Sequence, residues 1–249
     1  MGRIVTLLTD FGEVSPFTGI IKGVIKTICD ECELVTISND IPSFDIIIGA
    51  YVLRESYKYF PKGTVHLVVI DPGVGTKRKC IAIRTKDYWF VGPDNGVLWP
   101  AAKENEIVKV YELIPEKLSK NVSYTFHARD VFAPAAARIA KNENIKNFGK
   151  EMKENEITKI KLEEYAFSDK FGNVELPFQG MYEVVYKGKR IPPAKTFGEI
   201  PEGEIRAIIN SRGRLELAMN KGSAYSYLEN PLRINIDGKE YVFKIKFVG

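Results

Sequence analysis

TVHLVVI, residues 64–70, is the run that decides the fold. Apart from Thr64 and His66 every residue is apolar, without the alternation that a strand with one wet face would show. Such a run suits a strand covered by helices on both faces of a parallel sheet. His66, inside it, reads as a core residue.

The elements upstream fit that reading. RIVTLL, residues 3–8, is a second β-branched apolar run, and it stops at Thr9-Asp10-Phe11-Gly12. Ser15 before Pro16 supplies a cap and a first-turn proline, and Ile20, Ile21, Val24, Ile25 and Ile28 recur at helical spacing. A strand is expected from Leu34 to Ile37, then a helix from a Ser43 cap through Tyr59, closed by Pro61-Lys62-Gly63. Strand, helix, strand, helix, strand predicts a doubly wound, Rossmann-like α/β domain with a mostly parallel sheet, whose ligands bind outside the carboxyl ends of the strands. Asp10 and Asp71 each fall one or two residues beyond such an end, which places two acids on one rim.

Downstream, strands are expected near Cys80 to Arg84, Trp89 to Val91 and Ile107 to Tyr111, with a turn at Gly92-Pro93-Asp94-Asn95-Gly96. In SYTFHARDVFAPAAARIA, Asp130 is placed to cap an alanine-rich helix with Pro134 in its first turn. Residues 141–162 carry many charges and little apolar pattern and read as a linker region. Beyond residue 163, short runs such as MYEVVY, RLELAMN and YVFKIKFV alternate with Gly, Pro and Asn turns, the signature of a small all-β barrel or sandwich. The division expected is an α/β domain over 1–150, a linker over 151–162 and a β domain over 163–249.

Composition narrows the function. With 249 residues, 45% of them hydrophobic, the chain can bury a sizeable core. Its formal charge of +4 is spread without a basic stripe, which argues against nucleic acid as a partner. The opening residues show no signal peptide and no run approaches a membrane span, so no membrane partner and a cytoplasmic location are expected. Three cysteines fit a reducing compartment better than a disulfide scaffold. Cys29 and Cys32 stand in C-x-x-C spacing at a helix end, most simply a structural pair, with redox or metal chemistry as alternatives. A single glutamine, Gln179, amid abundant Lys, Glu and Ile leans towards a heat-adapted source.

VIDPGVGTKRKC, residues 69–80, invites a phosphate-binding reading that it does not sustain. The dinucleotide fingerprint needs a third glycine where Arg78 stands and a helix where a strand follows, and no P-loop sequence occurs. The glycines permit a tight turn, and Lys77 and Lys79 read as surface charges. His127, just before a helix start, lies where a parallel sheet would put it near the rim. Neither histidine has acids or cysteines at metal-ligand spacing, so no metal site is expected. In the β domain, Asp169 to Asn173 and Asn210 to Gly213 each read as turn chemistry, but together they gather an acid, a hydroxyl and a guanidinium suited to a zwitterion.

Seven stretches, LTDFG, IPSFD, VIDPGVGT, GPDNG, TFHARD, DKFGN and INSRG, occur in an order and spacing that resembles the S-adenosylmethionine hydroxide adenosyltransferases, relatives of the bacterial fluorinase and chlorinase. The resemblance spans about residues 4 to 248. It implies an α/β domain followed by a β-barrel, a homotrimer with active sites between subunits, and no cofactor. Water or hydroxide would attack C5′ of S-adenosylmethionine (SAM), leaving adenosine and methionine. Carried over by motif, the water-handling triad falls on Asp71, Arg78 and His127. Asp10 resembles the acid that holds the ribose hydroxyls, Phe44 occupies the position of an aromatic that walls the ligand, and Phe11 is expected to bind substrate beside them. Asp169, Ser211 and Arg212 resemble contacts to the methionine end, and Asn173 and Phe197 contacts to adenine. The halogenating relatives need a pocket that accepts a halide, which an anionic Asp71 would repel. Ala128 stands where the fluorinase resemblance wants a hydroxyl, so hydrolysis is favoured. A halide-dependent 5′-halo-5′-deoxyadenosine synthase and a non-catalytic SAM- or adenosine-binding module are the alternatives. One departure is Glu13-Val14-Ser15-Pro16-Phe17, where relatives often carry an acid, so the methionine-end contacts of that loop are not carried over.

Overall fold

The computed structural model describes residues 3–249. Two compact units divide between Ile160 and Lys161. The first is a seven-stranded sheet of β1 (Arg3–Thr9), β2 (Cys32–Ser38), β3 (Val65–Val69), β4 (Cys80–Thr85), β5 (Trp89–Pro93), β6 (Ile107–Leu113) and β7 (Gly149–Met152), in the order β2-β1-β3-β5-β4-β6-β7. Every residue of β3 is buried, His66 included, as its nearly all-apolar run requires. It lies at the centre of the parallel part, paired with β1 on one side and β5 on the other.

The expectation of a mostly parallel sheet is corrected in half of it. β2, β1, β3 and β5 run parallel, but β4 pairs antiparallel with β5 and β6, and β6 with β7. The cause is loop length: three residues separate β4 from β5, enough for a hairpin and far too few for a parallel crossover. β7 also lies in the charged stretch read as linker, anchored by buried Ile145 and Phe148 just before it.

Helix α1 (Pro16–Ile28) begins as expected, with Ser15 Oγ accepting the Phe17 N–H at 3.2 Å. It packs with the helix Ala133–Ala140 against the core that holds Val5, Leu7, Leu67 and Phe132. Helix α2 (Ile46–Ser56) starts later than a Ser43 cap would give. Phe44 takes a left-handed φ of 67°, which no helix accommodates, so Asp45 is the cap and accepts the Ile48 N–H at 3.0 Å. Asp130 is likewise not a cap: it lies inside a π-helical turn, Ala128–Phe132, that precedes the alanine-rich helix. Cys29 and Cys32, read as a structural pair at a helix end, form a disulfide, which the reading of a reducing compartment did not include. The helix end and the start of β2 bring their α-carbons within 5.4 Å, inside the span a bridge requires.

The second unit is an eight-stranded sheet of β8 (Tyr165–Ser168), β9 (Val174–Gln179), β10 (Val184–Tyr186), β11 (Lys189–Ile191), β12 (Ile205–Ile209), β13 (Arg214–Met219), β14 (Leu232–Ile236) and β15 (Lys239–Phe247). Its order is β11-β10-β14-β15-β8-β9-β13-β12, antiparallel throughout except between β15 and β8. A bridge from Pro193 to Ala207 links the two edges, so the sheet is barrel-like and nearly closed.

His66 confirms its place in the core and makes stability depend on pH. Its Nδ1 shares a 2.8 Å hydrogen bond with Thr6 Oγ1, Nε2 has no hydrogen-bond partner among the described residues, and Tyr57, Phe60, Tyr88 and Phe90 surround the ring. Burial pushes its pKa down to about 3. The folded chain therefore refuses a proton that the unfolded chain accepts below the ordinary histidine value of about 6.5. Stability should be full above that pH and fall by up to about 1.4 kcal/mol per pH unit as pH drops from there towards 3. Thermal midpoints measured from pH 7 to pH 4 should show this slope, and His66→Phe should flatten it.

Candidate active site

The strand order puts a topological switch between β1 and β3: from β1 the chain pairs outward to β2 on one side and to β3 on the other. Thr9 and Val69 are register partners, so Asp10 and Asp71, just beyond them, flank the mouth of one crevice. A cleft of 540 Å³ opens there, lined by Asp10, Phe44, Asp71, Phe126, His127 and Arg129 among others.

At one end of it Asp71, Arg78 and His127 converge. Arg78 Nε donates to Asp71 Oδ1 at 2.9 Å, and Nη2 makes a closer contact with Asp71 Oδ2. The same Nη2 lies 2.9 Å from His127 Nδ1, while Nη1 reaches Cys80 Sγ at 2.8 Å. The Phe132 ring lies beneath the guanidinium, 5.1 Å from its carbon. A guanidinium can only donate, so His127 Nδ1 is the acceptor and the neutral ring carries its hydrogen on Nε2. Burial, reinforced by the Arg78 charge, lowers the His127 pKa and keeps the ring neutral.

The loop geometry explains how Asp71 and Arg78, seven residues apart, meet. Gly75 adopts φ 75° in a tight turn, and its missing side chain lets the Tyr124 carbonyl come against the backbone. The Asp71–Arg78 loop is thereby held to the Ser123–His127 loop. Across the cleft, Asp10 Oδ2 accepts the Phe44 N–H at 2.8 Å, a contact that the left-handed Phe44 makes possible. Burial raises the Asp10 pKa and Asp71 adds to it, against the opposing Phe44 hydrogen bond. Phe11 meets Phe17 and Phe126 edge to face at 5.6 and 6.2 Å, and Phe44 is 67% exposed, an aromatic surface at the rim.

The residues expected to bind from the β unit form local clasps. Asp169 Oδ1 accepts the N–H groups of Phe171 and Asn173, and Asp169 Oδ2 accepts Asn173 Nδ2 at 3.0 Å. Ser211 and Arg212 lie in the turn between β12 and β13, where Arg212 Nε donates to the buried Glu175 at 3.0 Å. Phe197 is half exposed at the start of a short turn.

Sequence reading missed Phe17, Phe126 and Arg129 of the cleft and the buried anchor Glu175. Glu175 had a signal: an acid interrupting the apolar strand VELPF. The cleft aromatics had none, because aromatic residues near a helix start are equally at home in a core.

Comparison with known proteins gives a consistent match. Residues 5–149 match the SAM hydroxide adenosyltransferase N-terminal domain and residues 163–233 its C-terminal domain. A protein of Thermus thermophilus named (R)-S-adenosyl-L-methionine hydrolase is 35% identical over 89% of this chain and 94% of its own. A fluorinase of Nocardia brasiliensis is more distant, at 23% identity over 90% of this chain and 93% of its own. Among solved structures, an uncharacterized conserved protein from Thermotoga maritima superposes with a TM-score of 0.81 at 34% identity, covering 93% of this chain and 99% of that one.

Proposed function

The chain belongs to the SAM hydroxide adenosyltransferase family, and from that premise we propose that it hydrolyses S-adenosyl-L-methionine to adenosine and L-methionine. Water or hydroxide attacks C5′, the C5′–sulfur bond breaks, and the sulfonium leaves as the neutral thioether of methionine. The observation that carries this reading is the convergence of Asp71, Arg78 and His127 at one end of the cleft.

The chemistry follows from charge. A cation and a nucleophile that bears or gains negative charge neutralise one another as the bond forms, so fixed dipoles and partial exclusion of water favour the transition state. Asp71 is the anionic member of the triad, with carboxylate lone pairs beyond those that face Arg78, and it takes the proton from water. His127 cannot take it at Nδ1, which faces a donor, and instead offers Nε2–H to the nucleophile's oxygen. Arg78 fixes both partners. No step calls for a cofactor, because the leaving group is already activated in the substrate. Asp10 holds the ribose hydroxyls, Phe11 and Phe44 wall the ligand, and the clasps of the β unit serve the two ends: Asp169, Ser211 and Arg212 for methionine, Asn173 and Phe197 for adenine.

We carry the homotrimer as part of this proposal; light scattering should give three times the chain mass, and a stable monomer would overturn it. A cytoplasmic location belongs to the proposal as well. Among the described residues no helix is long and apolar enough to cross a membrane.

The test is incubation with labelled SAM, with and without chloride. Adenosine and methionine should appear equally in both. A 5′-chlorinated nucleoside in place of adenosine would sink the reading in favour of halogenation. The rate should also fall on the acid side at a pH below the ordinary histidine value of about 6.5, because a protonated His127 can no longer accept from Arg78. A pH–rate profile whose acid limb lies above that value would count against the neutral ring.

A further inference from the structure

Arg129 is a second guanidinium on the wall of the cleft, 41% exposed. For a site that takes a cation, it is out of place. The substrate's sulfonium carries one positive charge and its amino-acid end is a zwitterion, so an unopposed arginine would repel it.

Asp130 removes that objection. Its Oδ1 accepts Arg129 Nε at 2.7 Å and its Oδ2 accepts Arg129 Nη2 at 2.9 Å, the two-point grip of a carboxylate on a guanidinium. Oδ2 also accepts the Ser123 N–H at 2.9 Å, which ties the carboxylate to the start of the loop that lines the cleft. The carboxylate is buried, at 6% exposure, and Arg129 itself lies over the Phe126 ring at 5.3 Å. Burial alone would raise the Asp130 pKa, but Arg129 and the Ser123 N–H outweigh it and hold the group ionised. The turn that presents it is π-helical, a local widening often found at functional sites. With Asp71 matched to Arg78 and Asp130 matched to Arg129, Asp10 is the carboxylate left over in the cleft.

We propose that Asp130 is a specificity-determining residue: by gripping Arg129 it keeps the guanidinium packed on the aromatic wall without presenting positive charge to the sulfonium. It acts through Arg129 and does not touch the reacting atoms.

The inference rests on SAM as the substrate, and its test pairs that cation with its neutral thioether analogue, S-adenosylhomocysteine, which differs by the S-methyl group and its charge. Asp130→Asn keeps an oxygen for the Ser123 N–H but leaves Arg129 uncompensated. The KM for SAM should rise about fivefold, the scale of one charge acting across several ångströms of wet protein. The inhibition constant of the thioether should stay unchanged. Arg129→Gln combined with Asp130→Asn restores the charge balance and should bring KM back within about twofold of the wild type. Three results would each overturn the proposal: the thioether weakening in step with SAM, the double variant binding SAM as poorly as the single one, or Asp130→Asn leaving KM unmoved. Failure of the parent reading looks different, because the wild type would then form no adenosine, while calorimetry with both ligands would still report the charge discrimination.

Discussion

Asp71→Asn should lower the rate of adenosine formation by about 10³-fold, equivalent to ~4 kcal/mol, and change KM by no more than a few-fold. The amide is nearly the same shape as the carboxylate, so the loop should keep its course. What it loses is chemical. An amide cannot take a proton from water at neutral pH, and its NH₂ group would face Arg78 donors where two carboxylate oxygens now accept. Arg78 would lose its bidentate seat, and with it the orientation that directs Nη2 to His127. Single-turnover measurements would separate the loss in chemistry from any change in binding. A variant with the activity of the wild type would show that Asp71 does not take the proton, whereas a chain that binds SAM or adenosine without turning it over would give no product from either form.

Gly75→Ala should cost about 10²-fold in kcat and lower the thermal midpoint by several degrees, although residue 75 contributes no side chain to the reaction. Two penalties combine. A left-handed backbone at φ 75° costs an L-residue about 1–2 kcal/mol, and the added methyl would meet the Tyr124 carbonyl, a backbone group that cannot rotate away. The Asp71–Arg78 loop must then draw back from the Ser123–His127 loop, and a displacement near 1 Å between reacting groups carries about that loss in rate. Gly188→Ala is the control. That glycine also has positive φ, 74°, but an added methyl there would meet no atom of the described residues within 4 Å, so its cost should be confined to stability.

Much of the fold was legible because periodicity reports directly on burial. A nearly all-apolar run at 64–70, without alternation, demanded cover on both faces, and β3 is buried throughout. Ser15-Pro16 announced a helix start through cap chemistry that depends on neighbours alone. Where the reading failed, the deciding interaction lay elsewhere in the chain. Ser43 lost the cap to Asp45 because Phe44 is turned left-handed, with its N–H on Asp10, 34 residues away in sequence. Asp130 looked like a cap from its neighbours, but its partners are Arg129 and the Ser123 backbone. The strand β7 was hidden in a charged stretch because an edge strand exposes most of its side chains and needs little apolar pattern.

The candidate site divides in the same way. By itself the sequence determined which residue types lie beyond the strand ends: acids at 10 and 71, an arginine seven residues after the second, and a histidine before a helix. Those assignments depend only on where strands stop, which local hydrophobic pattern governs. Tertiary structure alone decided that Arg78 reaches His127 across 49 positions, that His127 carries its proton on Nε2, and that Arg129 faces the cleft with its charge matched by Asp130. Orientation, tautomer and charge balance depend on distances between groups far apart in the chain, and those distances exist only once the sheet has set the order of its strands.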